Sequence, residues 1–136
     1  LSSEPSLVLD ASALLAFIRG EPGSDAVQQA LEQKAWMSTV NWSEILARLG
    51  PVFGSPEAAE ASLWRQPALR TAVLLYPFDA ACALEAARLR APTAQHGLSL
   101  ADRACLALGR ITGLPVLTAD RVWAEVEAGV EVRLIR

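Results

Sequence analysis

The sequence has little histidine, cysteine or lysine, and each shortage narrows the chemistry open to it. Cys82 and Cys105 have neither CxxC spacing nor histidines clustered nearby, so neither a zinc site nor a disulfide framework is indicated. Both read as small core residues. His96 is the only histidine, which excludes multi-histidine metal sites and leaves any histidine-based triad resting on one residue in a Gly-flanked loop. No apolar run reaches the roughly 18 to 20 residues a membrane span needs, and no basic start leads into an apolar signal core. The expectation is a soluble, cytoplasmic chain without a membrane partner. Lys34 is the one lysine against eleven arginines. Guanidinium forks match phosphate oxygens bidentately, although an Arg- and Ala-rich compositional bias accounts for the count equally well.

The 136 residues fit a single domain spanning 1–136, with 52% hydrophobic residues to build a core and 20% charged ones. That composition excludes disorder and is compatible with folding alone or against a partner. A formal charge of −3 argues mildly against a general nucleic-acid binder. The total misleads, however, if some acids are occupied by metal ions: with four neutralised, eleven remain against twelve bases.

Along the chain, 6–9 reads as a short buried strand and 12–19 as a helix stopped by Gly20, Pro22 and Gly23. Ser24 can cap a helix to about residue 33, and "AWMSTV" reads as a second strand. A helix over 41–49 is expected to end at Gly50 and Pro51, and another follows over 56–64, with Pro and acids in its first turn. A third strand lies around "VLLYPF", before an Ala-rich helix over 79–90 and a loop, "APTAQHG". The helix over 99–112 carries an apolar stripe at Leu100, Ala104, Leu108 and Ile111, with Gly113 placed for a left-handed C-terminal cap. "LPVLT", a short helix over 120–127 and a final strand, "VEVRLI", complete the pattern. Strands alternating with helices predict an α/β fold with a mostly parallel sheet of about five strands and helices on both faces. In such sheets ligands bind at the carboxyl ends of the strands.

Four acids fall at or just beyond those ends: Asp10, Glu44, Asp102 and Asp120. Helix capping accounts for each one singly; "NWSE" (41–44) and "SLAD" (99–102) are capping-box patterns. Capping does not require several carboxylates to gather at one sheet edge with no basic residue adjacent to Asp10 or Glu44. Crowded carboxylates raise one another's pKa values, so a stable cluster needs cations, and oxygen-only ligands suit Mg²⁺ or Mn²⁺. Such ions share phosphate oxygens with substrates, which points to phosphodiester hydrolysis. Ser12 and Thr118 are placed to orient carboxylates or a water.

These residues sit in "LVLDASALLAFIRGEPG", "STVNWSEIL" and "GLSLADRACLALGRITGLPVLTADRVW", three pieces in an order that resembles the PIN-domain family and, within it, the VapC-type ribonuclease toxins. The resemblance runs from Leu7 to Trp123 and implies a three-layer α/β/α fold. The family's acids fall on Asp10, Glu44, Asp102 and Asp120, its small hydroxyl residues on Ser12 and Thr118, and its late aromatic on Trp123. The resemblance further implies Mg²⁺- or Mn²⁺-dependent endonucleolytic cleavage of RNA, homodimerisation, and inhibition by a cognate antitoxin. Segment 54–71 carries none of the family's signature. Arg103 and Arg121, each following a site acid, are candidate RNA contacts, as is Trp42 by stacking, with solvated arginines and a packed tryptophan as the plainer alternatives. Trp36, Trp64 and Trp123 are assigned to core or interface.

Other readings fit less well. Haloacid-dehalogenase-type phosphatases resemble the first strand and its Asp but would carry a second Asp where Ser12 stands, and "DASALL" contains no glycine for a dinucleotide-binding turn. The remaining alternative is a noncatalytic RNA- or protein-binding module whose acids are helix caps.

Overall fold

The computed structural model describes residues 4–136. Five short strands, β1 (Leu7–Leu9), β2 (Ala35–Ser38), β3 (Val73–Tyr76), β4 (Val116–Thr118) and β5 (Val132–Leu134), form one sheet in the order β3-β2-β1-β4-β5. Every pairing is parallel, so the expectation of a mostly parallel sheet understated its uniformity. The order reverses at β1: the chain builds outward to β2 and β3, then returns to lay β4 on the other side of β1. Such a reversal opens a crevice at the carboxyl ends of the two strands that flank it.

Alternation along the strands creates two cores. Leu7, Leu9, Ala35, Met37 and Leu117 pack on one face beneath α1 (Ala11–Arg19), α2 (Ser24–Glu32), α3 (Thr39–Phe53), α4 (Pro56–Trp64) and α5 (Pro67–Ala72). Val8 and Val116 point the other way, against α6 (Ala80–Arg88), α8 (Leu100–Thr112) and Trp123. The result is the three-layer α/β/α arrangement. Helix α8 lies close on the sheet because Gly109 has no side chain: a Cβ there would stand 2.7 Å from Cγ1 of Val116 and 2.5 Å from Cγ2 of Val130.

Several local expectations need correction. Gly50 and Pro51 do not stop α3, which runs on to Phe53 and ends at Gly54 in the left-handed conformation. Pro51 falls in the last turn, where it forgoes one intrahelical hydrogen bond but has little helix left to interrupt, and the bare Gly50 lets Pro56 at the start of α4 approach closely. Helix α2 is preceded by Gly23 as its cap, with Ser24 already helical, and α3 is capped by Ser38 and not by Asn41. Helix α5 had no expected counterpart, and the anticipated loop over 91–97 winds into a short helix, α7 (Arg90–Thr93), and a 3₁₀ turn (Ala94–His96). The short helix after β4 is a 3₁₀ turn over Arg121–Glu125. In α8, Ala104 and Leu108 are buried, whereas Leu100 and Ile111 are exposed at its ends; Gly113 takes the expected left-handed cap. Cys82 and Cys105 are buried and unpaired.

Candidate active site

Asp10 leaves the end of β1 and caps α1, and the hydrogen bonds around its carboxylate tie the ends of β1 and β4 together. Its Oδ1 accepts from the Ala13 N–H at 2.8 Å and from the Ser12 hydroxyl at 2.8 Å, while Oδ2 accepts from the Thr118 hydroxyl at 2.6 Å. The hydroxyls are themselves oriented from β4: Ala119 N–H donates to Ser12 Oγ and Asp120 N–H to Thr118 Oγ1. Asp10 is only 4% exposed. Burial pushes its pKa up to about 6, against the lowering effect of the Thr118, Ala13 and Ser12 hydrogen bonds and with a further push from the negative charge of Asp102. Three donors do not compensate the buried charge, so the site favours a proton or another cation.

The remaining acids come from three other elements. Glu44 lies on α3, where Asn41 Nδ2 donates to its Oε1 at 3.4 Å and also to the Ala101 carbonyl at 3.1 Å, linking α3 to the start of α8. The Asn41 side chain is buried, and among the described residues its Oδ1 has no partner. Asp102 forms a reciprocal capping box with Ser99, accepting from Ser99 N–H at 2.9 Å. Asp120, exposed, caps the 3₁₀ turn by accepting from Val122 N–H.

All four acids line one cavity of about 160 Å³, together with Ala11, Ser12 and Arg48. Beneath it lies the Cys105 thiol, raised well above its ordinary range first by burial and then by the charges of Asp10, Asp102 and Glu44. The carboxylates therefore act on one point in the core from three elements. Among the described residues no three acids converge tightly enough to hold an ion as they stand. Asp102 and Asp120 are turned toward backbone N–H groups, each through one oxygen, and keep the other. The donor set suits a hard divalent cation: carboxylate and hydroxyl oxygens, with no histidine or cysteine in the lining, the Arg48 guanidinium being a cation and not a ligand.

Arg48 was missed in the sequence. It stands four residues after Glu44 on α3, a spacing that puts two side chains on one helix face and was the available signal. Among the described residues it makes no ion pair shorter than 4.0 Å. Asn41 was likewise passed over as a cap. Among the proposed RNA contacts, Arg103 lies beside the site and donates to the Ala86 carbonyl at 2.9 Å, while Arg121 is exposed at the start of the 3₁₀ turn. Trp42 is a correction. It is 4% exposed, donates its Nε1 hydrogen to Glu60 at 2.8 Å and stacks on Trp64 with ring centroids 4.6 Å apart, leaving no free face for a base. Trp123 is fully buried in the second core, and Trp36 meets Tyr76 edge-on.

The family model described as the PIN domain matches residues 7–129, which includes every acid of the cavity. The chain belongs to the PIN-domain family. Among curated relatives of this PIN domain, the protein named Ribonuclease VapC of Mycolicibacterium smegmatis is 33% identical over 118 residues, covering 82% of this chain and 88% of the relative. Ribonuclease VapC30 of Mycobacterium tuberculosis is 31% identical over 115 residues, with 82% and 87% covered. The fold is also that of a chain in a toxin–antitoxin complex from Klebsiella pneumoniae, at a TM-score of 0.71 and 16% identity over 96% of this chain and 98% of that one.

Proposed function

We propose that this PIN domain is a metal-dependent endoribonuclease, a VapC-type toxin that hydrolyses RNA phosphodiester bonds at Asp10, Glu44, Asp102 and Asp120. The observation that carries the reading is the meeting of these four acids, each from a different segment, around one cavity at the crevice where the strand order reverses. The names of its curated relatives agree with it. All four, Asp10, Asp102, Glu44 and Asp120, are the residues assigned to hold Mg²⁺ or Mn²⁺. The ion, when bound, supplies an activated water and neutralises charge on the leaving oxygen.

The chain's own contribution is positional. Ser12 and Thr118 donate to Asp10 and hold its carboxylate plane fixed at the cavity wall. Asn41 holds Glu44 and the first turn of α8 in register, setting Glu44 against Asp102. The N-terminus of α8, where Asp102 sits, borders the same cavity, and the positive end of a helix favours a phosphate. Arg103 and Arg121 are the proposed RNA contacts. Homodimerisation, a cognate antitoxin and a cytoplasmic site of action follow from the VapC reading; among the described residues no helix is long and apolar enough to cross a membrane.

One observation favours a second reading, a noncatalytic binding module: Asp10, Asp102 and Asp120 each cap a helix or turn in this structure. The two readings separate on metal binding. Isothermal titration of the purified chain with Mn²⁺ should give a saturable site that Asp10→Asn removes. Absence of any divalent binding by a folded protein would leave the acids as caps.

A further inference from the structure

A second pocket, of about 390 Å³, opens on the far side of the same helix turn, lined by Arg90, Thr93, Ala94, Leu98 and Arg103. Its chemistry is the inverse of the acid cavity. Two guanidinium groups line it, no acid does, and among the described residues neither arginine has a carboxylate within 4.0 Å. Nearby arginines are treated differently: Glu85 pairs Arg88 at 2.9 Å and Arg110 at 2.7 Å, so the same helix pair supplies an acid where the charge has no further use. Thr93 spends its hydroxyl proton on the Leu89 carbonyl at 2.6 Å, which leaves the guanidinium groups as the side-chain donors of the pocket. The Arg103 fork is held by one bond to the Ala86 carbonyl, and its other N–H groups remain available.

Two like charges facing one pocket without a counter-ion call for an anionic ligand. Asp102 lines the acid cavity and Arg103, the next residue, lines this pocket, so the two sites adjoin at the first turn of α8. We infer that the Arg90–Arg103 pocket is a subsite for a backbone phosphate of the RNA strand, flanking the bond presented to the acids. This rests on the nuclease reading of the neighbouring cavity and extends it to a strand path across the first turn of α8. Arg90, with its side chain exposed and otherwise unengaged, is the residue that no sequence signal marked.

The test is fluorescence anisotropy of a labelled single-stranded RNA of about twelve nucleotides, in EDTA to prevent cleavage, over KCl from about 50 to 300 mM. Wild type, Arg90→Met, Arg103→Met and the double variant are compared, with thermal melts to establish folding. Each lost phosphate contact should lower the slope of log K against log salt by about 0.7, and the double variant by about 1.4. Arg90→Met decides the matter, because its side chain holds no other part of the fold. An unchanged slope for folded Arg90→Met overturns the subsite. So does loss of binding to a polyglutamate peptide while RNA binding is kept, which would make the pocket an acidic-peptide site. Cleavage by wild type with Mn²⁺ is measured in parallel: RNA binding through the arginines without cleavage would defeat the nuclease reading alone, and cleavage with an unchanged slope would defeat the subsite alone.

Discussion

Replacing Asp10 by asparagine should stabilise the metal-free protein at neutral pH. The carboxyl titrates near 6 in the folded chain and at 3.8 without the fold. A raised folded pKa means that the native state binds the proton more tightly than the unfolded chain does. The stability this contributes is fully present below pH 3.8 and is lost as pH rises through about 6. Two pKa units and a little more, at about 1.36 kcal/mol each, amount to roughly 3 kcal/mol, with no discount for solvent because the group is almost wholly buried. Asparagine keeps an acceptor for the Ala13 N–H but obliges the Ser12 and Thr118 hydroxyls to reorient, at a cost of about 1 kcal/mol. The net gain is about 2 kcal/mol, which for a chain of this size raises Tm by roughly 5 to 10 °C. Calorimetry in EDTA should show wild type and Asp10→Asn diverging between pH 4 and 6 and staying apart above. Saturating Mg²⁺ or Mn²⁺ should then raise wild type alone and narrow the gap. A variant less stable than wild type at neutral pH, or a difference indifferent to pH, would refute the argument that Asp10 carries an uncompensated charge.

Other substitutions probe the supports. Thr118→Val removes the 2.6 Å bond to Asp10 and strands the Asp120 N–H, so it should shift the pH midpoint of Mn²⁺ binding upward and cost about 1 to 3 kcal/mol in denaturant unfolding. Trp42→Phe should cost about 1 to 3 kcal/mol through the lost bond to Glu60 and poorer stacking on Trp64, while leaving RNA anisotropy titrations at the wild-type affinity. Gly109→Ala should destabilise by about 1 to 3 kcal/mol or more, seen as a lowered urea midpoint, since its methyl meets Val116 and Val130. Arg48→Met removes a positive charge from the cavity and should tighten Mn²⁺ binding a few-fold by calorimetry.

Much of the architecture was legible because its signals are local. The apolar run over 7–9 before Asp10, the capping box of Ser99 and Asp102, and Gly113 after the α8 stripe each specify an element by its own chemistry. The candidate acids were legible for a different reason: parallel strands all finish at one edge, so residues that end strands or open the following helices meet there whatever their separation in sequence. What escaped depended on tertiary contact. Pro51 reads as a stop, yet packing of α3 on α4 carries the helix past it. Asn41 reads as a cap in "NWSE", but Ser38 had already started the helix, which freed the amide to bridge to Ala101. Trp42 offered two meanings at one position, and only its neighbours Trp64 and Glu60 choose between them. Arg90 carries no motif at all; its pocket exists because α7 folds where a loop was expected.

The most direct test of the account is cleavage of a mixed pool of structured RNAs by the purified chain with Mg²⁺ or Mn²⁺, beside EDTA and an Asp102→Asn control. The account predicts endonucleolytic products that need the ion and disappear in a folded Asp102→Asn protein. Cleavage that persists in EDTA or in that variant would contradict it, and so would an inert wild-type chain that also binds no divalent ion.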